Sequence, residues 1–367
     1  MLVATFIFMI IGLTLMPSYM NAISSNTKVV EEGVEYLKIV VIGAFGLIFS
    51  ITFEKLLQST GKTLLVMFAQ ASGAIVNIVL DPFLIFGWWI FPEMGIKGAA
   101  LATIIGQFFG CFIGLLLNVF LNKEIHFNKQ TLKIDFKLIK EILIIGIPSA
   151  IMAAIASILT FVFNKILMIF ENVKIPNTNT YYKDLPQTVF GLYFKLNSVF
   201  FMPVFGLNNA MVPIIAYNYG AKNKEKMMKT FKYSLIFVFI MMSLGTLAFM
   251  IFPRELLSLF AENEEVANSL ASIGVPCLRI ISTSFLVAAF CIVILSMLQA
   301  LGNSVYSMIV SIIRQIVVLL PVAYLLSLTK NLDLVWLSFL IAELVALIIA
   351  ISLFKKVYRD KIKPLGA

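Results

Sequence analysis

Long apolar runs separated by short polar patches set the rhythm of this chain. Residues 95–121, 229–253, 304–328 and 332–354 are each long, apolar and sparing in charge. About 20 apolar residues are enough to carry a helix across a bilayer core. Backbone N–H and C=O groups must be satisfied internally there, which favours helices. A membrane β-barrel would instead show alternating segments of roughly ten residues, and the chain has none. The pattern predicts an all-α polytopic membrane protein with ten helices. They fall at roughly 2–19, 33–57, 64–90, 95–121, 137–170, 188–219, 229–253, 265–300, 304–328 and 332–354. Several exceed the minimum length, which leaves room for tilt, kinks or extension into water.

Composition strengthens this reading. Of 367 residues, 60% are hydrophobic and 13% charged, and the mean hydropathy is +0.99. A soluble domain carries about 25% charged residues, so the lipid bilayer is the expected solvent. The first apolar segment has no basic stretch before it and reads as a span rather than a cleavable signal. Cys111, Cys277 and Cys291 all lie in apolar runs, without disulfide or metal-ligand spacing.

The net charge of +9 would suit nucleic acid if it formed one surface. It is instead divided among three segments. Lys123, Lys129, Lys133, Lys137 and Lys140 fill one, Lys222 to Lys232 another, and Lys355 to Lys363 the C-terminal tail. With ten spans, all three fall on one side of the membrane. Glu31, Glu32, Glu262, Glu264 and Glu265 fall on the other. By the positive-inside rule both termini are cytoplasmic, and no nucleic-acid partner is expected. The lone His126 sits in a basic loop and reads as solvated.

The chain also repeats itself. GVEYLKI (33–39) aligns with GVPCLRI (274–280) at an offset of 241 residues. The same offset pairs Phe8-Met9-Ile10 with Phe249-Met250-Ile251, and LLQSTGK (56–62) with MLQALGN (297–303). Three matches at one offset point to a parallel duplication, a device known in transporters. The boundaries expected are an N-terminal lobe of four helices at 1–122, a linker at 123–136 and a C-terminal lobe of six helices at 137–358. By this arithmetic the first copy lacks two helices and the start of a third.

Polar residues inside apolar spans mark candidate chemistry. In NIVLDPFLIFG (77–87), Asn77 and Asp81 share a helix face at i, i+4 spacing. Asp81 lies about 10 Å below Trp88, at 1.5 Å per residue, and Trp suits a membrane interface. Thr103 lies at a similar depth on the next span. An amide, a carboxylate and a hydroxyl in one layer would suit a hard cation such as Na+, or the carboxylate alone a proton. The alternative is structural. Asp81 before Pro82 resembles the N-cap of a broken helix, and Thr103 can bond back to its own helix.

Elsewhere, Glu54-Lys55 reads as a snorkelling pair near a helix end. Arg314 and Glu343 lie deep in the last two spans, where an intrabundle ion pair can form. Gln58, Asn164, Asn197 and Gln299 are candidate cleft-lining or helix-linking polar residues, with Asn208 and Asn209 as lesser ones. No nucleotide loop, catalytic triad or metal cluster is apparent, so an enzyme is not expected.

Several stretches resemble the MATE family (multidrug and toxic compound extrusion). NIVLDPFLIFG with GIKGAALATIIGQ (95–107) resembles its fifth and sixth helices. MPVFGLNNAMVPIIAYNYGAKNKEKM (202–227) is similar to its eighth helix and following loop. IIRQIVVLLPVAYLLS (312–327) and VWLSFLIAELVAL (335–347) resemble its last two helices in the MepA-like branch. The resemblance runs from the family's third helix to its twelfth.

It implies a two-lobe pseudo-symmetric bundle that exports amphipathic organic cations in exchange for Na+ or H+. It also implies cation coupling at Asn77, Asp81 and Thr103, no other cofactor, a monomer, and a bacterial plasma membrane. In the family a further Asp on the first helix joins that site, and Asn164 sits about where the repeat would put its counterpart. Acids on the seventh and tenth helices, used in another branch, have no match here beyond Glu171 at a helix end. A lobe without its first two helices would leave a groove open, and weak or absent transport is the expectation for such a chain. Two rival readings remain. One is a lipid-linked precursor flippase of the same superfamily, which would line its cleft with more cationic residues. The other is a non-transporting truncated membrane fragment.

Overall fold

The computed structural model describes residues 2–23, 27–125, 135–171, 173 and 184–366. His126, Lys129 and Lys133 lie outside them. Two compact units are formed, Met1–Lys133 and Ile134–Ala367.

Unit 1 contains α1 (Leu2–Ile23), α2 (Thr27–Ile42), α3 (Ala44–Ser59), α4 (Thr63–Phe86) and α5 (Ile96–Leu121). Unit 2 contains α6 (Phe136–Leu167), α7 (Leu185–Gly220), α8 (Lys224–Ile251), the short α9 (Pro253–Ser258), α10 (Glu264–Ala300), α11 (Ser304–Ile312), α12 (Leu320–Ser327) and α13 (Leu332–Val357). A π-helical segment, Ile313–Leu319, joins α11 to α12. Among the described residues eight helices are long and apolar enough to cross a membrane. The span expected at 33–57 is a ninth, broken into α2 and α3 by a 48° bend at Gly43. The first span is apolar over the shorter stretch Thr5–Asn21.

The helix break at Asp81, the structural alternative, does not occur. Pro82 lies inside α4, so Asp81 caps nothing. α4 ends instead at Gly87, whose φ of +67° is left-handed and whose N–H donates to Phe83 O. Trp88 and Trp89 follow, both exposed.

α5 meets α4 through a stripe of small residues. Gly98, Ala102, Gly106, Gly110 and Gly114 recur every fourth position and all are buried. Spacing of i, i+4 keeps them on one face, and small residues let membrane helices approach closely. A Cβ on Gly73 of α4 would stand 2.8 Å from Gly106 O, and one on Gly106 would stand 2.7 Å from Gly73 O. On α13, Ser338, Ala342, Ala346 and Ala350 form a similar buried stripe.

The repeat is visible in the backbone. Gly61 has φ +76° and Gly302 has φ +75°. Gly61 N donates to Gln58 O and Lys62 N to Leu57 O; Gly302 N donates to Gln299 O and Asn303 N to Leu298 O. Two helix ends 241 residues apart thus use the same paired turn bonds, in which glycine supplies the left-handed conformation.

In unit 2, α10 is the central helix: 67% of its most apolar window is buried. Beside it, Phe163, Phe190, Tyr193, Trp336 and Phe339 form an aromatic core. The rings of Phe163 and Phe190 stack at 4.6 Å, and Phe163 meets Phe339 edge-on at 5.2 Å. Such offset and edge contacts match the ring quadrupoles. Cys277 and Cys291 are free and buried in the same unit.

Candidate functional site in the first unit

α3, α4 and α5 line an open cavity of about 260 Å³ bounded by Leu47, Ser50, Glu54, Gln70, Asn77, Thr103 and Gln107, with small residues between them. Gly73 and Gly106 bring the α4 and α5 backbones together, since a Cβ on either would meet the facing carbonyl, and the polar residues lie beside that contact. Long polar side chains thus surround a gap in otherwise apolar helices.

The residues singled out from the sequence are only partly brought together. Asn77 and Thr103 line the cavity; Asp81 is absent from its lining. Asn77 Nδ2 stands 3.5 Å from Asp81 Oδ1, long for a hydrogen bond. The Thr103 hydroxyl donates to Ala99 O at 2.9 Å, the intrahelical bond expected as its structural alternative.

Glu54 departs from the sequence expectation: it does not snorkel. Its side chain is buried, with 8% of the residue exposed. Oε2 accepts from Gln70 Nε2 at 2.7 Å, and Oε1 accepts from Ser50 Oγ at 3.2 Å. Its neighbour Lys55 is exposed and donates to Gln58 Oε1 at 2.9 Å. The sequence signal for this is the pairing of Ser50 and Glu54 at i, i+4, which puts a hydroxyl and a carboxylate on one face. The Gln107 Oε1 atom is buried without a hydrogen-bond partner, and Gln107 lines the same cavity.

Below the cavity, a polar network locks the end where α3 turns into α4. Asn118 Nδ2 donates to Phe53 O and Gly114 O, both at 2.8 Å. Asn122 Nδ2 donates to Asn118 Oδ1 at 3.1 Å. Lys62 Nζ donates to Leu121 O at 2.7 Å.

The other candidates lie in unit 2, apart from Gln58. Arg314 Nη1 donates to Glu343 Oε1 at 3.1 Å, with side chains 21% and 16% exposed. Arg314 belongs to the π-helical segment. Glu343 Oε2, Asn197 Oδ1 and Asn208 Oδ1 are buried without partners. Gln299 Nε2 reaches Met152 Sδ at 3.8 Å. Asn164 is half-buried on α6.

The MatE family model matches residues 1–83 and 184–325, more than half of the chain. The chain belongs to the MatE family. Its relatives include the probable multidrug resistance protein NorM of Thermotoga maritima, 27% identical over 315 residues, which cover 86% of this chain and 63% of that protein. The multidrug export protein MepA of Staphylococcus haemolyticus is 28% identical over 334 residues, 89% of this chain and 68% of that one. This MatE chain therefore spans about two thirds of the length of these relatives. Among solved structures, MATE in complex with MaL6 superposes with a TM-score of 0.84 at 23% identity, over 100% of this chain and 77% of that one. A MOP superfamily transporter from Pyrococcus furiosus gives 0.85 at 22% identity, with the same coverage. These likenesses establish the MatE fold. The family is one of multi-pass membrane transporters, and the resemblance seen in the sequence is to this family.

Proposed function

We propose that this protein takes part in multidrug efflux, exporting amphipathic organic cations in exchange for an inward-moving Na+ or H+. The observation that carries the reading is the polar cavity of unit 1, an oxygen-rich gap among apolar helices. Embedded ionisable groups are costly in a bilayer and mark ion pathways. Carboxylate, amide and hydroxyl oxygens suit a hard monovalent cation. The printed names of the NorM and MepA relatives, a multidrug resistance protein and a multidrug export protein, support the drug class.

In this reading the coupling cation binds by Asn77 and Thr103, with Asp81 one turn further along α4. A ligand shifts a conformational equilibrium only by its differential affinity for the two states. Cation occupancy accordingly favours one access state, and release the other. The bacterial relatives support a plasma membrane, and the placement of lysine-rich segments supports both termini in the cytoplasm.

The test is export of ethidium from cells expressing the chain, with the Na+ and H+ gradients collapsed separately. Export that stops with one gradient supports the reading; export indifferent to both contradicts it. Asp81→Asn should abolish gradient-driven export while leaving membrane insertion intact. Normal coupling in that variant would remove Asp81 from the mechanism.

A further inference from the structure

Glu54 is the carboxylate that the cavity contains. Among the side chains lining the cavity it alone is ionisable. α5 carries no charged residue from Gly98 to Asn122, and the one charge on α4, Asp81, lies outside the lining. On α3 the adjacent Lys55 turns to Gln58 instead. No Lys, Arg or His among the described residues forms an ion pair with Glu54. A buried carboxylate with no cationic partner is strongly disfavoured, and the group must be neutralised or paired.

The surroundings are built for one small positive ion. Gln70 Nε2 fixes one carboxylate oxygen from α4. The other faces the Ser50 hydroxyl, which can accept as well as donate. Across the cavity, Gln107 supplies a buried oxygen with no partner. Asn77 and Thr103 add oxygen atoms to the same lining. The volume, about 260 Å³, has room for an ion and its waters, each water needing about 10–15 Å³ of such space.

We propose that Glu54 is the anionic ligand of a small monovalent metal cation of the size of Na+, held in this cavity with the Gln107 amide oxygen. The resemblance to known transporters assigns no such role to this position. The inference rests on reading unit 1 as the cation-coupling unit. It adds the buried carboxylate of Glu54 to the Asn77 and Thr103 oxygens in the same lining, with Asp81 one turn further along α4.

The test reads binding, not transport. Thermal unfolding of the full chain in lipid nanodiscs is followed in NaCl against KCl at matched ionic strength. The wild type and Glu35→Gln, an exposed carboxylate paired with Lys97, should show a rise in midpoint with Na+. Glu54→Gln should show none. The proposal is overturned if Glu54→Gln keeps the wild-type response to Na+, or if the wild type shows no response to it. If Glu54→Gln does not fold, Glu54→Asp replaces it: a smaller response supports the assignment, and an unchanged one overturns it. Cation binding without ethidium export would remove the transport reading and leave this one. Cation-driven export unaltered in Glu54→Gln would do the reverse.

Discussion

Gln70 Nε2 donates to Glu54 Oε2 across 2.7 Å, tying α4 to α3 at the floor of a polar cavity. The acceptor is buried, so its lost hydrogen bond cannot be replaced freely by water. Gln70→Leu should therefore destabilise the chain by about 1–3 kcal/mol, the cost of leaving a buried acceptor without its donor. Thermal or chemical unfolding in nanodiscs measures it.

Gly106 sets the spacing of α4 and α5. A Cβ there would meet Gly73 O at 2.7 Å and Asn77 Cβ at 2.9 Å. Gly106→Val should force the helices apart and cost about 1–3 kcal/mol, as overpacking does. At Gly146 on α6, by contrast, a Cβ would meet nothing within 4 Å. Gly146→Ala should be neutral or mildly stabilising, by up to about 1 kcal/mol. Unfolding midpoints of the two variants, measured side by side, check the contrast.

The repeated turn makes a paired prediction. Gly61 and Gly302 share a left-handed φ near +75° and have open space where a Cβ would go. Any cost of alanine is then conformational, about 1–2 kcal/mol. Gly61→Ala and Gly302→Ala should lose similar amounts of stability. A large inequality between them would contradict the equivalence of the two turns.

Much of this architecture is legible in the sequence, and the exceptions share a cause. The long apolar runs mark the helices because a bilayer admits few other structures. The match of LLQSTGK with MLQALGN reports the same turn geometry seen at Gly61 and Gly302. Glu54 escapes a sequence reading because its fate depends on Gln70, sixteen residues away, and on a glycine-lined helix later still. Near a helix end, hydropathy alone cannot separate a snorkelling acid from a buried one. Asp81-Pro82 misleads in the opposite direction: local propensity predicts a break, but α4 continues through it. The α2–α3 bend sits at Gly43, and the π-helical segment at Ile313–Leu319 lies just before Pro321. Such residues commonly mark irregularities of this kind, but apolar run length alone does not register them.

In unit 2, Arg314 and Glu343 hold each other at 3.1 Å, and Glu343 Oε2 has no further partner. Arg314→Met should cost about 3 kcal/mol, since it leaves a mostly buried carboxylate unpaired. Arg314→Met with Glu343→Met should recover most of that loss, because replacing both partners removes the desolvation cost of both charges. Unfolding of the single and double variants measures the coupling. If the double variant is as unstable as the single one, the pair does more than neutralise charge.

A small cation bound within α3, α4 and α5 of the first unit should leave its mark on the backbone. Hydrogen–deuterium exchange on the full chain in nanodiscs, with Na+ against K+, reads it out. The coupling cation should slow exchange in peptides spanning Ser50–Gly61, Gln70–Asp81 and Thr103–Gly110, and Glu54→Gln should remove this protection. Unchanged exchange in those peptides under both cations, or protection confined to the second unit, would rule out a cation held there.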